Sequence, residues 1–292
     1  MSRKTRLLLP VAAGACLVLW GCNSETPADA DPNESPPPGG SEVTNLLPDG
    51  DLSGFVAFLR EDSPTKDPAE AWKVEDGMIH ITGRGMGYLR TKESYGNYRL
   101  VLEYKWGEFT APERPVNVRD SGVFLHASAN DGEYKGSWIS SFEAQMIEGR
   151  AGDLIVIAAL NEESGKKAPY SLEAEVEEIK VTERPSDFRY VPGGKKWTLP
   201  LPRLERVRIF RNPHDMDWKD EKGYRSPSQL EKPAGEWNRL EVVAAGDSLE
   251  VILNGKTVNH ARKVTPSEGH ICLQSEMSEC WIRKWELQPI SK

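Results

Sequence analysis

Helical periodicity is missing from this chain over any long stretch, and no apolar run reaches the length of a permanent membrane helix. Positive charge is also in short supply, with 37 Lys and Arg against 45 Asp and Glu for a net charge of −8. A chain of that sign repels phosphate backbones, so nucleic acid is not an expected partner. Cysteine is rare, at four in 292 residues, too few for a disulfide-rich scaffold. No pattern points to a nucleotide site or an organic cofactor.

What the N-terminus does contain fixes an expected compartment. Arg3, Lys4 and Arg6 precede an apolar run over residues 7–20 that is too short to stay in a bilayer and reads as an export signal. It ends in Leu19-Trp20-Gly21-Cys22, which resembles the bacterial lipobox, although Trp20 is bulkier than that pattern usually has. Cys22 is therefore the expected lipidation site, and residues 1–22 the expected lipoprotein signal. Residues 23–44 follow as a tether rich in Pro, Ser, Gly, Asp and Glu, a composition that cannot bury a core. The expected localisation is a lipid anchor in an envelope membrane, facing the periplasm or the cell surface. Loss of the three leader cations would take the net charge to −11.

Period-two alternation is abundant in the remaining residues 45–292. In Tyr98-Arg-Leu-Val-Leu-Glu-Tyr-Lys-Trp106, the residues Tyr98, Leu100, Leu102, Tyr104 and Trp106 share one side, as in a half-buried strand. Similar runs occupy 78–82, 122–127, 140–147, 154–160, 237–244, 248–253, 270–275 and 280–287. Turn residues separate them, including Glu75-Asp76-Gly77 and the Asn254-Gly255 pair, which tolerates positive φ and favours a tight hairpin. Many short strands joined by turns imply an all-β domain of two stacked antiparallel sheets, a sandwich or jelly roll. Residues 161–233 interrupt the pattern and read as a loop-rich insertion: Glu-rich at 173–178, basic at 203–211, and loop-like at 213–227. Cys272 and Cys280 flank 274–279, which reads as a hairpin turn, and either a disulfide or two buried thiols fits the sequence.

Where one side of a strand is core, its polar residues must line the opposite surface. Val123 and Leu125 inward put Phe124 and His126 outward. Phe142, Ala144 and Met146 inward put Ser141, Glu143 and Gln145 outward. Ile271 and Leu273 inward put Cys272, Gln274 and Glu276 outward, and the Tyr98 strand presents Arg99, Val101, Glu103 and Lys105. If these strands share a sheet, one surface collects Glu103, Lys105, His126, Glu143, Gln145 and Gln274. A set containing His, Gln and aromatic residues suits the gripping of sugar hydroxyls, with Trp138 placed to stack on a sugar face. Any one of these residues alone would equally well solvate an exposed sheet.

Several blocks together resemble a known family, the 3-keto-disaccharide hydrolase domain. They are Trp72-Lys-Val-Glu-Asp-Gly77, Leu89-Arg-Thr91, Arg119-Asp-Ser-Gly-Val-Phe-Leu-His126, Ser141-Phe-Glu-Ala-Gln145 with Gly152-Asp153, Gly235-Glu-Trp-Asn-Arg-Leu-Glu241, Leu253-Asn-Gly255 with Val258-Asn259, and Gly269-His-Ile-Cys-Leu-Gln-Ser-Glu276. The resemblance implies a concanavalin A-like jelly roll acting on glycosides oxidised at carbon 3. Such a ketone acidifies the hydrogen on carbon 2, so a base could form an enolate that expels the glycosidic oxygen, with hydration to follow. On that expectation Glu143 or His126 is the base, Lys105 or a bound cation steadies the enolate, and a carboxylic acid protonates the leaving oxygen. Glu103, Gln145, Trp138, Gln274 and Glu276 are the expected substrate-binding residues.

Two other readings deserve a place beside this one. Glu143-Ala-Gln-Met-Ile-Glu148 superficially resembles the paired-carboxylate strand of jelly-roll glucanases, but Glu143 and Glu148 fall on opposite faces of a regular strand. The same sheet face could also belong to a cell-surface lectin that binds carbohydrate without cleaving it. No cofactor is certain; His214-Asp215-Met216-Asp217, or His126 with Glu143, leaves room for a divalent cation.

Overall fold

The computed structural model describes residues 42–114, 117–161, 166–167, 169–179, 187–199 and 206–290. The expected signal, Cys22 and the tether up to residue 41 lie outside the described residues. Within them, alternation becomes strand nearly everywhere, and the one helix among the described residues is the single turn Pro68–Ala71.

One layer runs Trp72–Glu75, Met78–Thr82, Ser278–Pro289, Tyr98–Thr110, Asn238–Ala245, Ser248–Leu253, Lys256–Thr265 and Ser171–Glu178, every neighbour antiparallel. The other runs Phe55–Leu59, Met86–Thr91, Glu268–Glu276, Gly122–Ala127, Ser141–Gln145, Leu154–Ile157 and Arg206–Phe210, again antiparallel throughout. Asp187–Tyr190 pairs with Ser171–Glu178 and lies parallel to Arg206–Phe210, so the hydrogen-bonded ladder continues from one layer into the other. The result is an all-β jelly-roll sandwich.

Leu100, Leu102, Tyr104 and Trp106 of the first layer pack in one core with Val123, Leu125, Phe142, Ala144, Leu154 and Val156 of the second. Each such side chain removed from water contributes about 1.5–3 kcal/mol, which is why strand register is held so firmly: a one-residue slip would turn this whole set to solvent. The expected tight turns form, with Asp76 and Gly77 at φ 51° and 71° and Asn254 and Gly255 at φ 48° and 82°.

Two expectations are corrected here. Residues 274–279 are not a hairpin: Glu268–Glu276 pairs within the second layer and Ser278–Pro289 within the first. Met277, at φ 54°, makes the corner between them. Cys272 and Cys280 consequently sit in different layers and are free buried thiols. Nor is 161–233 simply an insertion beside the sandwich, because Ser171–Glu178 and Arg206–Phe210 are strands of its two layers. Their alternation, as in Leu172, Ala174 and Val176 buried between exposed or half-exposed acids, is the same signal seen elsewhere, masked by the Glu-rich composition.

Candidate functional site

The second layer has an outer face, and its polar centre follows from the pleat. Phe142 and Ala144 enter the core, so Glu143 and Gln145 stand on the other side. Glu143 lies in register between Phe124 on one neighbouring strand and Ile155 on the other. Apolar flanks strip water from its carboxyl, and it is only 2 % exposed. Burial therefore raises its pKa to about 7; Asp120 and Asp153 push the same way, while Arg206 and Arg208 oppose them.

Gly122, directly across from Gln145, leaves a gap in this floor. A β-carbon there would come within 2.7 Å of Glu143 Oε1 and 3.1 Å of Gln274 Oε1, so no larger residue fits without displacing them. On either side of the gap an amide grips a carboxyl group. Gln145 Nε2 donates to Asp120 Oδ1 at 2.5 Å, and Gln274 Nε2 donates to Glu276 Oε2 at 2.8 Å. Asp120 is held well above the ordinary carboxylate range by burial and by the charge of Glu276. Burial and then Glu143 raise Glu276. Three acids crowded in this way each make ionisation of the others less favourable.

Above the floor is a cavity of about 270 Å³. One wall is Trp138, packed edge-on to Phe124 at 5.9 Å and carried by residues 128–139. That loop is tied to the sheet by Asp131, which accepts from Arg90 Nε and Nη2 at 2.9 and 3.0 Å and from the Tyr88 hydroxyl at 3.2 Å. Trp218 also lines the cavity; its Nε1 donates to the Glu148 carbonyl at 3.1 Å and its ring lies 3.6 Å from the Arg150 guanidinium carbon. Asp220 secures its loop by accepting from the backbone N–H groups of Asn117 and Val118. Arg206 and Arg208 reach the cavity because Val207 and Ile209, between and beyond them, are core.

Of the residues singled out in the sequence, Glu143, Gln145, Trp138, Gln274 and Glu276 meet at this cavity. Three do not. Glu103 and Lys105 belong to the first layer and face away from the core on the far side of the molecule: Glu103 pairs with Arg239 and Arg283, and Lys105 lies over the Trp237 ring. They alternate as expected, but their strand is in the other sheet. His126 is in the correct sheet and points the wrong way. Leu125 and His126 together oppose Ile271 in a β-bulge, with His126 at φ 48°, and its ring lies edge-on to the core residues Tyr98 and Phe142. Gly269 permits the bulge, since a β-carbon there would stand 2.5 Å from the His126 backbone. His126 Nδ1 pairs with the Pro266 carbonyl at 3.0 Å, and burial lowers its pKa to about 4, so the ring stays neutral.

Glu148 does not join Glu143 as a second carboxylate. It lies beyond the end of the strand in a buried ion pair with Arg119 at 2.8 Å. His214 packs on Phe210 at 4.4 Å, Asp215 accepts from Tyr224 and from the Asp217 N–H, and among the described residues no three His, Cys, Asp or Glu side chains converge as cation ligands. The sequence reading passed over Asp120, Arg206, Arg208 and Trp218. Asp120 follows Arg119 in the stretch that leads into the His126 strand, and Arg206 and Arg208 alternate with Val207 and Ile209; Trp218 carries no periodic signal.

The sequence model of the 3-keto-alpha-glucoside-1,2-lyase-like domain matches residues 42–288. Among solved structures, the chain is similar to a Parabacteroides distasonis protein named provisionally as a glycosyl hydrolase, at 18% identity and TM-score 0.44, over 85% of this chain and 100% of that one. It is also similar to the carbohydrate-binding module CBM66 from Bacillus subtilis, at 9% identity and TM-score 0.41, over 80% and 94%. A β-glucanase from Bacillus licheniformis matches at 9% identity and TM-score 0.40, over 87% and 99%. No curated protein matches in sequence.

Proposed function

The chain belongs to the 3-keto-alpha-glucoside-1,2-lyase-like family, and from that premise we propose that it cleaves glycosides oxidised at carbon 3 by elimination across carbons 1 and 2. The observation that carries this reading is Glu143, a carboxyl with a pKa near 7 at the floor of a sugar-sized cavity. A base at that value is half ionised at neutral pH and strong enough to take a hydrogen acidified by a ketone.

Glu143 removes the proton from carbon 2, and the electron pair passes through the enolate of the C3 oxygen. The C1=C2 double bond then forms as the bond from carbon 1 to the glycosidic oxygen breaks. Glu276, whose pKa burial and then Glu143 raise, gives its proton to that oxygen. Arg206 and Arg208 supply positive charge at the cavity for the enolate, a role the sequence had offered to Lys105. Trp138 and Trp218 line the cavity and supply aromatic surface for contact with sugar rings. Water adding to the unsaturated ketone completes a net hydrolysis.

Matched disaccharides, one oxidised at carbon 3 and one not, test this. Only the keto form is expected to release its leaving sugar, with transient ultraviolet absorbance from the conjugated enone; equal release from both would remove the ketone from the mechanism. We also propose that the domain works at an envelope membrane through lipid on Cys22. Incorporation of labelled palmitate into the wild type and not into Cys22→Ala is the expected result, and labelling of both would refute it.

A further inference from the structure

Gln145 and Gln274 are each about 98 % buried, yet the carbonyl oxygen of each has no hydrogen-bond partner among the described residues. Both line the cavity. Their N–H groups are already committed, one to Asp120 and the other to Glu276, so the amide orientations are set. What each presents to a ligand is an acceptor. Gln274 Oε1 and Glu143 Oε1 both border the gap at Gly122, so this acceptor stands beside the group assigned as base, and Gln145 lies directly across from the same glycine.

A buried carbonyl without a donor from the protein is costly, and a bound hydroxyl or water that donates to it relieves that cost. A ketone, an ether oxygen or an enolate cannot; a hydroxyl can.

We propose that Gln145 and Gln274 form an acceptor pair that selects 3-keto glycosides with free hydroxyls on carbons 2 and 4, the positions flanking the ketone. Asp120 and Glu276 are positioning residues for this selection because they lock the amides with carbonyls toward the substrate; Glu276 does so in addition to its role as acid. The choice of ring positions rests on the elimination proposed above, whereas the acceptor geometry does not.

The test compares kcat/KM of the full-length protein on a 3-keto glucoside with its 2-deoxy and 4-deoxy counterparts, all of which keep the hydrogen on carbon 2 and the leaving group. Each deoxy substrate is expected to be poorer by about 10–100-fold or more, as when a buried polar group is left unpaired. Gln145→Met and Gln274→Met, close in volume but without the acceptor, should each bring one deoxy penalty to within about threefold. Asp120→Leu should do the same for the penalty that depends on Gln145 while that glutamine is still present, which a merely structural role would not produce. Wild-type discrimination under about threefold, or discrimination that survives both methionine variants, overturns the proposal. So does discrimination abolished by a chelator, since a cation would then hold the carbonyls.

Calorimetry with unoxidised methyl glucoside and its deoxy analogues separates this from the lyase reading. Discrimination in binding without turnover of any 3-keto glycoside keeps the acceptor pair and defeats the elimination. Turnover without discrimination does the reverse, and absence of binding by any of these sugars counts against the acceptor pair.

Discussion

Glu143→Gln is expected to lower turnover of a 3-keto glycoside by roughly 10²–10⁴-fold, the contribution typical of a positioned general base, and to stabilise the folded protein above pH 7. The two effects share one cause. Glu143 ionises near 7 in the folded chain against 4.5 for an unperturbed glutamic acid, because burial between Phe124 and Ile155 disfavours its charge. Between those pH values the unfolded chain releases a proton that the native chain keeps, so native stability falls as pH rises through this window and the loss is complete above 7. At about 1.4 kcal/mol per pKa unit the penalty is on the order of 3 kcal/mol, and glutamine, nearly isosteric and uncharged, escapes it.

Thermal melts at pH 4 and pH 8 should therefore show little difference between variant and wild type at the lower pH and a gain of several degrees for the variant at the higher. The wild-type kcat/KM should rise with pH through about 7. Native turnover by Glu143→Gln would exclude it as the base, and an inactive variant with no gain at pH 8 would leave the base in place and reject the raised ionisation. Lys105→Ala provides the contrast: on the opposite layer, over Trp237, it should keep kcat/KM within about twofold.

The sequence displayed strands well because alternation is a local property, and Tyr98–Thr110 or Ser248–Leu253 needs only its own residues to declare a buried side. Which strands share a layer is not local. Tyr98–Thr110 presents Glu103 and Lys105 outward as the pattern says, but its partners are Asn238–Ala245 and Ser278–Pro289, and nothing in its own alternation records that choice. Gln145 and Gln274 were legible because their strands do lie in the sheet of Glu143, separated by Gly122–Ala127. His126 failed for a different reason. One bulge inverts the parity of everything beyond it, and its sequence trace is a glycine, Gly269, on the neighbouring strand 143 positions away. The same limit hid the corner at Met277, where the chain changes layer within a single residue of positive φ.

Glu231→Leu is expected to be the most damaging conservative-volume change away from the cavity floor. This carboxylate is buried, and its oxygens accept from the Tyr104 hydroxyl at 2.8 Å, the Trp106 indole N–H at 2.6 Å and the Gly149 N–H at 2.8 Å. Burial raises its pKa, and those three donors pull it back down. Leucine would leave all three unsatisfied in the interior and would deprive the buried Arg211 of an attractive charge. Stranding such partners costs about 3–5 kcal/mol, which for a domain of this size lowers Tm by roughly 10 °C. The damage should also reach the site, since Gly149 precedes Arg150 and a β-carbon at Gly149 would sit 2.8 Å from Trp218 Nε1, so this turn sets one cavity wall. KM for the disaccharide should therefore rise in Glu231→Leu at temperatures where the variant is still folded, with Glu231→Gln intermediate because its amide keeps one acceptor. A Tm within about 2 °C of the wild type would show that the three donors find other partners and that this carboxylate does not hold the wall in place.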